Sequence, residues 1–288
     1  MREELKELWR FRELFWTLVI RELRVRYKNS FLGFFWSLLN PLATALVLTI
    51  VFKFFIRVRI TDYSAYVFAA YFPWIFFQMA ILDSAQSVLT YMPLVKKIYF
   101  PRELLPLGAV AANFIHFLLS LVVFFLYLLG IWAFVPGHHL SLQATAALLP
   151  FVIIIQLLLT IGISLFVTAL NVYYEDVKYI VAVGMQLLFY LSPIVYFSGQ
   201  VKNPTLVSSQ YHTIIYWIYH LNPMAVILTL YRKILLPNRS LTLDNGLQVP
   251  SSPLEPMMIV LAVLVSIAFA IAGYAYFNRH KWQFAERV

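Results

Sequence analysis

The stretch TIIYWIYHLNPMAVILTLYRK, Thr213 to Lys233, decides how this chain is arranged. From Thr213 to Tyr231 it is apolar and close to the roughly 20 residues that a helix needs to cross a bilayer core about 30 Å thick. Yet Asn222-Pro223 divides it, and Arg232-Lys233 closes it. Six other runs reach spanning length: Phe34 to Ile56, Tyr63 to Thr90, Leu104 to Phe134, Gln143 to Leu170, Tyr179 to Phe197 and Leu254 to Phe277. If the divided stretch were a seventh full span, Arg279, Lys281 and Arg287 would lie outside, against the tendency of Lys and Arg to stay on the inner side. With six spans both termini face the cytoplasm. The inner segments then hold fifteen of the 22 Lys and Arg: eight before Phe34, three in Tyr91 to Glu103, Lys178, and three after Phe277. Lys53, Arg57 and Arg59 oppose this order without reversing it.

The divided stretch therefore reads as two short helices that dip into the membrane and return, marked by Tyr216, Trp217, Asn222 and Pro223. Non-helical backbone survives at membrane depth only where protein or a water-filled cavity satisfies its polar groups, so such a pair should line or cap a pathway. The expected fold is an all-α polytopic membrane protein with six transmembrane helices, an N-terminal amphipathic interface helix and a re-entrant helix pair before the last span.

Composition agrees. The 288 residues are 62% hydrophobic, 17% aromatic and 12% charged, with mean hydropathy +0.79, against about 25% charged in soluble domains. The net charge of +9 is not a nucleic-acid footprint, because the basic residues cluster beside apolar runs rather than along one soluble face. They read as topology determinants and contacts to anionic lipid heads. With no cysteine there is no disulfide framework, thiolate metal site or nucleophilic thiol.

Before the first span, Leu5, Leu8, Trp9, Phe15, Trp16 and Val19 recur at the spacing of one helical face, with charges elsewhere. This predicts an amphipathic helix over Arg2 to Val19 lying on the membrane or packed on a soluble partner. Charges interrupt the segment too often for a cleavable signal peptide. Arg21 to Gly33 follows with four basic residues, either a positive-inside anchor or a hinge in which Asn29, Ser30 and Gly33 permit a bend. Residues 1–33 thus form an interface segment, 34–277 a membrane domain with an external re-entrant region and loop at 198–253, and 278–288 an inner tail.

Two inner loops stand out. Met92 to Glu103 carries Leu94, Val95, Lys96, Lys97, Ile98, Tyr99, Phe100, Pro101, Arg102 and Glu103, denser in apolar side chains than solvated loops usually are. It reads as a small helix docking into a groove on a soluble partner or as an interfacial loop with snorkelling lysines. Asn171 to Lys178, with Tyr174, Glu175, Asp176 and Lys178, is a candidate companion. Asp83 is the only acidic residue well inside a span, and Gln86 and Thr90 follow at helical spacing. Such a group faces the protein interior or a water-filled path. The polar stripes Gln156, Thr160, Ser164, Thr168 and Asn113, His116, Ser120 read more readily as helix-packing contacts. Aromatic rings are abundant beyond an interfacial belt, and they suit the C–H faces of sugars. The expected pathway lining is Phe35, Trp36, Tyr71, Trp74, Gln78, Asp83, Gln86 and Tyr190.

Catalytic readings fare poorly. The six histidines are scattered, without converging carboxylates. No glycine is followed five positions later by another, so the phosphate-cradling loop is absent. If ATP drives this chain, another polypeptide must supply the engine.

The run Arg26-Tyr27-Lys28-Asn29-Ser30-Phe31-Leu32-Gly33-Phe34-Phe35-Trp36-Ser37-Leu38-Leu39-Asn40-Pro41 closely resembles the start of type-2 ABC exporter permeases, in particular the Wzm-like subunit of O-antigen polysaccharide exporters. The resemblance continues through Lys96 to Glu103, Ala169 to Val177, Ser192 to Tyr196 and Leu221 to Met224, in order along nearly the whole chain. It implies that Arg24, Arg26, Tyr27, Lys28, Asn29, Ser30 and Gly33 form a gate and hinge, that the two inner loops couple to the ATPase, and that the broken pair is re-entrant at the outer mouth. Glu175 departs from the basic residue which that pattern places before the acidic one. The implied partners are a second copy of the chain, two cytoplasmic ABC ATPase subunits, membrane lipids and a lipid-linked polysaccharide. The chain itself would carry no cofactor, with Mg-ATP bound by the ATPase. The implied location is the inner membrane. Rival readings are a teichoic acid or capsular polymer exporter, a membrane-embedded transferase acting on lipid-linked sugars, and a small-molecule exporter.

Overall fold

Asn222-Pro223 starts a helix. In the computed structural model Asn222 is an N-cap whose side chain accepts from the Met224 amide at 3.0 Å, and Pro223 occupies the first helical turn, where its missing N–H costs nothing. The preceding helix ends at His220, and the two meet at 88°. The expected division of this stretch is therefore a sharp bend between helices His212–His220 and Pro223–Leu235.

The structure describes residues 2–26, 35–51, 63–134, 143–196, 211–237, 241–242, 248–249 and 256–284. Among them the helices in chain order are α1 (Arg2–Arg10), α2 (Arg12–Arg26), α3 (Phe35–Ile50), α4 (Tyr63–Thr90), α5 (Met92–Val95), α6 (Leu104–Phe134), α7 (Leu149–Tyr173), α8 (Val177–Leu191), α9 (His212–His220), α10 (Pro223–Leu235) and α11 (Pro256–His280), which ends in a 3₁₀ turn, Lys281–Gln283. Two residues on each side, Leu241–Thr242 and Gln248–Val249, pair as antiparallel β1 and β2 in the polar loop before α11.

Four helical stretches, Tyr63–Thr90, Leu104–Phe134, Ala144–Tyr173 and Pro256–Gln283, are long and apolar enough to cross a membrane, and the bent pair would make five. The protein is thus a multi-pass membrane protein of helices. Of the six expected spans α8 comes out short, with 15 residues; of the span expected over Phe34 to Ile56, α3 covers 16 residues, and residues 34 and 52–56 lie outside the described residues. At 1.5 Å per residue α8 reaches only about 22 Å. Helix α8 stops because Ser192 precedes Pro193 and takes extended backbone, φ −101° and ψ 148°, the region that a following proline favours.

Helix α4 is central, packing on α3, α6, α7, α8 and α10, while α7 and α11 make the longest pairing. The cause of that pairing is local. A Cβ at Gly162 would fall on the backbone of Phe269, and one at Gly273 on the backbone of Gly162. Two glycines let the helices touch backbone to backbone, where close packing and dispersion replace the hydrophobic drive that lipid removes. The polar stripe of α7 is also packing, as its spacing suggests. Gln156 donates to the Pro73 carbonyl at 2.7 Å and accepts from the Tyr231 hydroxyl at 2.7 Å, and Thr168 donates to the Ser84 carbonyl at 2.8 Å.

The N-terminal segment expected as one helix is two, broken at Phe11. The second, α2, lies along α6 and buries Leu18 and Val19.

Candidate functional site

One end of the bundle gathers both loops singled out by sequence. In the α4–α6 connection the chain turns through α5, whose proline starts it, and then splits its side chains by direction. Val95, Phe100, Pro101 and Glu103 point inward and are buried, Leu94 and Arg102 are half-buried, and Lys96, Lys97, Ile98 and Tyr99 are exposed. The dense apolar content of this loop therefore has two jobs. Phe100 and Val95 join a small core with Leu18, Val88, Leu104 and Phe284, whereas Ile98 and Tyr99 stand in the open.

The loop is tied to the N-terminal helices. The Tyr91 hydroxyl donates to Glu22 at 2.6 Å, with the Arg21 guanidinium 4.6 Å over its ring. Burial first, and then the Glu22 carboxylate, push this phenol above its ordinary range. Tyr99 donates to Glu7 at 3.2 Å, and that acceptor raises its pKa. Glu103 is buried in an ion pair with Lys281 at 2.6 Å, and Arg102 donates to the Lys281 carbonyl. Partial burial lowers the Arg102 pKa. A cavity of about 440 Å³ opens between Glu7, Lys97, Tyr99, Arg102 and Trp282.

In the α7–α8 connection, Tyr174, Glu175 and Asp176 are exposed and Lys178 is half-buried, 4.0 Å from Glu175. Asn171 organises this turn, donating to the Ala85 carbonyl at 2.9 Å and accepting from the Lys178 amide at 3.0 Å. One buried amide thus fixes the second loop to α4, the same helix from which the first loop leaves.

The expected pathway residues divide. Trp36 and Asp83 share a cavity of about 340 Å³ with Asn40, Asn113, His116 and Ser120. Asn113 donates to Asp83 at 2.7 Å. Tyr71 and Trp74 are instead buried against Phe189, ring centroids 6.3 and 5.9 Å away. Gln78 accepts from the Trp74 indole at 3.1 Å. Gln86 and Tyr190 are exposed, Tyr190 on a face of α8 with Ile180, Val183 and Leu187. Of the gate and hinge, Arg24 is exposed on α2 and Arg26 ends it. Tyr27, Lys28, Asn29, Ser30 and Gly33 lie outside the described residues, as does the side chain of Phe35.

The chain matches the model of the ABC-2 type transporter family over residues 13–236. It belongs to that family. Full-length relatives agree: it is 32% identical over 276 residues to the O-antigen export system permease protein RfbA of Klebsiella pneumoniae, covering 95% of each chain. To the protein of the same name from Myxococcus xanthus it is 30% identical over 285 residues, 98% of each.

At the opposite end of this ABC-2 chain sits a residue that sequence reasoning treated only as a flanking charge. Arg232 is buried and donates to the carbonyls of Tyr66, Pro193, Ile194 and Tyr196 and to the Tyr66 hydroxyl, with its guanidinium 3.5 Å over the Tyr66 ring. Tyr63 donates to the Val195 carbonyl at 2.7 Å and Tyr66 to that of Tyr196 at 3.2 Å. Every carbonyl from Pro193 to Tyr196, in the stretch where α8 has stopped, has a donor. The bent pair is joined to the same place, since Tyr219 donates to the Tyr196 hydroxyl at 3.0 Å and Asn222 to Ser192 at 3.3 Å. Tyr216 is buried and Trp217 partly exposed. A signal was present in the sequence: a cation nine residues beyond Pro223, inside a pair already read as needing its backbone satisfied.

Proposed function

We propose that this chain is the membrane-spanning permease of an ATP-driven exporter that carries lipid-linked polysaccharide of the O-antigen type outward across the inner membrane. The observation that carries the reading is the similarity to O-antigen export permeases over 95% or more of both chains, in a chain of the ABC-2 family. Six spans, α3 and α8 among them, put both termini in the cytoplasm. The N-terminal 33 residues act as interface and gate, 34–277 as the membrane domain, and 278–288 as a cytoplasmic tail. The bent pair α9–α10 is re-entrant at the outer mouth.

The chain supplies the path and a separate ATPase supplies the work. Two ATPase subunits bind Mg-ATP, close and push on the exposed Lys96–Tyr99 and Tyr174–Asp176 segments. Both segments are anchored to α4, the first by leaving its end and the second through Asn171 and Ala85, so a push at either is delivered to the helix that packs on α3, α6, α7, α8 and α10. At its far end α4 meets Arg232 through Tyr66. Motion at the cytoplasmic loops thereby reaches the outer mouth along one rigid element. Two copies enclose the channel, because six helices are too few to surround a polymer. Trp36 and Asp83, with Asn113 and His116, offer an aromatic face and hydrogen-bonding groups of the kind sugars use.

The decisive experiment deletes this chain and fractionates the cells. Polymer should accumulate on its carrier lipid at the cytoplasmic side. Normal surface polysaccharide in that strain would overturn the reading.

A further inference from the structure

The two loops assigned to ATPase docking lie on different helices, and what joins them is the turn after α11. Lys281 reaches the first loop through its ion pair with Glu103 at 2.6 Å, and the Lys281 carbonyl accepts from Arg102. Gln283 reaches the start of the second loop, accepting from the Tyr173 hydroxyl at 2.8 Å. Phe284 is fully buried, its ring 5.3 Å from Phe277 and 6.2 Å from Tyr173. Glu103 and Lys281 are 1% and 8% exposed. A buried ion pair adds little net stability, because desolvation offsets much of the attraction. What it does supply is placement, and the residue so placed is Trp282.

Trp282 is 61% exposed and forms one wall of the 440 Å³ cavity whose other walls include Lys97, Ile98 and Tyr99. Large exposed aromatic side chains of this kind are the usual anchors of protein interfaces. The cavity lining carries Lys96, Lys97 and Arg102 with Glu7, while the Lys281 charge is taken up by Glu103 beneath it. Its complement is a surface that presents carboxylates around an apolar centre.

We propose that the C-terminal turn Lys281–Phe284 is a third element of the ATPase-docking face, with Trp282 as its anchor and an acid-rimmed apolar patch of the ATP-binding subunit as its occupant. The inference rests on the docking reading of the Lys96–Tyr99 segment. The turn does more than contact the partner, since it ties the two loops into one platform and lets the ATPase load both together.

The test uses full-length permease in nanodiscs with its purified ATPase subunit, reading capture of that subunit and permease-stimulated ATP hydrolysis. Trp282→Ala should weaken capture about tenfold, the scale of an interface anchor, while the unfolding temperature of the permease stays unchanged. Trp282→Glu, which opposes an acidic surface, should weaken it further. Tyr99→Ala runs beside them as the measure of the docking reading itself. If Tyr99→Ala weakens capture and both Trp282 variants bind normally, Trp282 is only an interfacial membrane anchor and the inference is overturned, with the docking reading intact. If all three bind normally, both fall.

Discussion

Arg232 is the residue on which most of the bundle end away from the two loops depends. Its partners are four backbone carbonyls and a phenol, all uncharged oxygens. Removing it leaves carbonyls without a donor in a place water does not freely reach, at about 1–3 kcal/mol each. Arg232→Met should therefore lower stability by about 3 kcal/mol, measured as a drop in the unfolding temperature of the purified protein in detergent. Arg232→Lys should fall between the two, since an ammonium keeps the charge and loses the planar fork. A methionine variant as stable as the parent would show that the Pro193–Tyr196 backbone is held by other means. At the same scale, Asn222→Ala removes the cap of α10 and should cost about 1 kcal/mol, read in the same assay. Asn222 was legible as a break in the sequence, and its chemistry is local enough to show there. Arg232 was not, because its meaning depends on Tyr66 and on Pro193 to Tyr196, which lie far away along the chain.

Among the elements, the α7–α11 pair and helix α6 respond to substitution in opposite ways. Gly162→Leu or Gly273→Leu must separate two backbones that touch, so the yield of folded protein after membrane extraction should collapse. Gly130→Ala is the counterpart in α6, where nothing lies within 4 Å of the new Cβ. It should be neutral or stabilise by up to about 1 kcal/mol through helix propensity. Equal behaviour of the two kinds of variant would mean that the α7–α11 crossing is not set by its glycines. Hydropathy alone located the long helices to within a few residues. It placed α8 correctly but extended it through Pro193 to Phe197, and it merged α1 with α2. Apolar content does not mark where a helix stops; a proline or a turn does, and Phe11 gives no such sign. The α4–α6 loop shows the same limit: its apolar residues were visible, while their division into buried Phe100 and exposed Tyr99 was not.

For the whole molecule, the apolar face of α8 with Ile180, Val183, Leu187 and Tyr190 is exposed in the single chain, where a two-copy channel would have it face the interior or the other copy. The chain has no cysteine, so an introduced thiol is unique. Val183→Cys in membranes, treated with a short bifunctional thiol reagent, should yield a band at twice the chain mass. Only monomer there, together with a one-permease mass for the active complex, would refute the homodimer.

Membrane residence and the bent stretch were determined by the sequence alone. Both follow from counts along the chain: apolar residues against bilayer thickness, positive charge against sidedness, and a capping Asn-Pro pair. Membership of the exporter family was likewise legible in the ordered run of motifs. Only the tertiary structure decided which polar groups serve packing and which remain open. Gln156 and Thr168 are taken up by α4, Asp83 stays in a cavity with Trp36, and Arg232 satisfies a stretch of backbone more than 30 residues away. The physical reason is that burial and hydrogen bonding belong to pairs of groups, and a sequence names the groups without saying which of them meet.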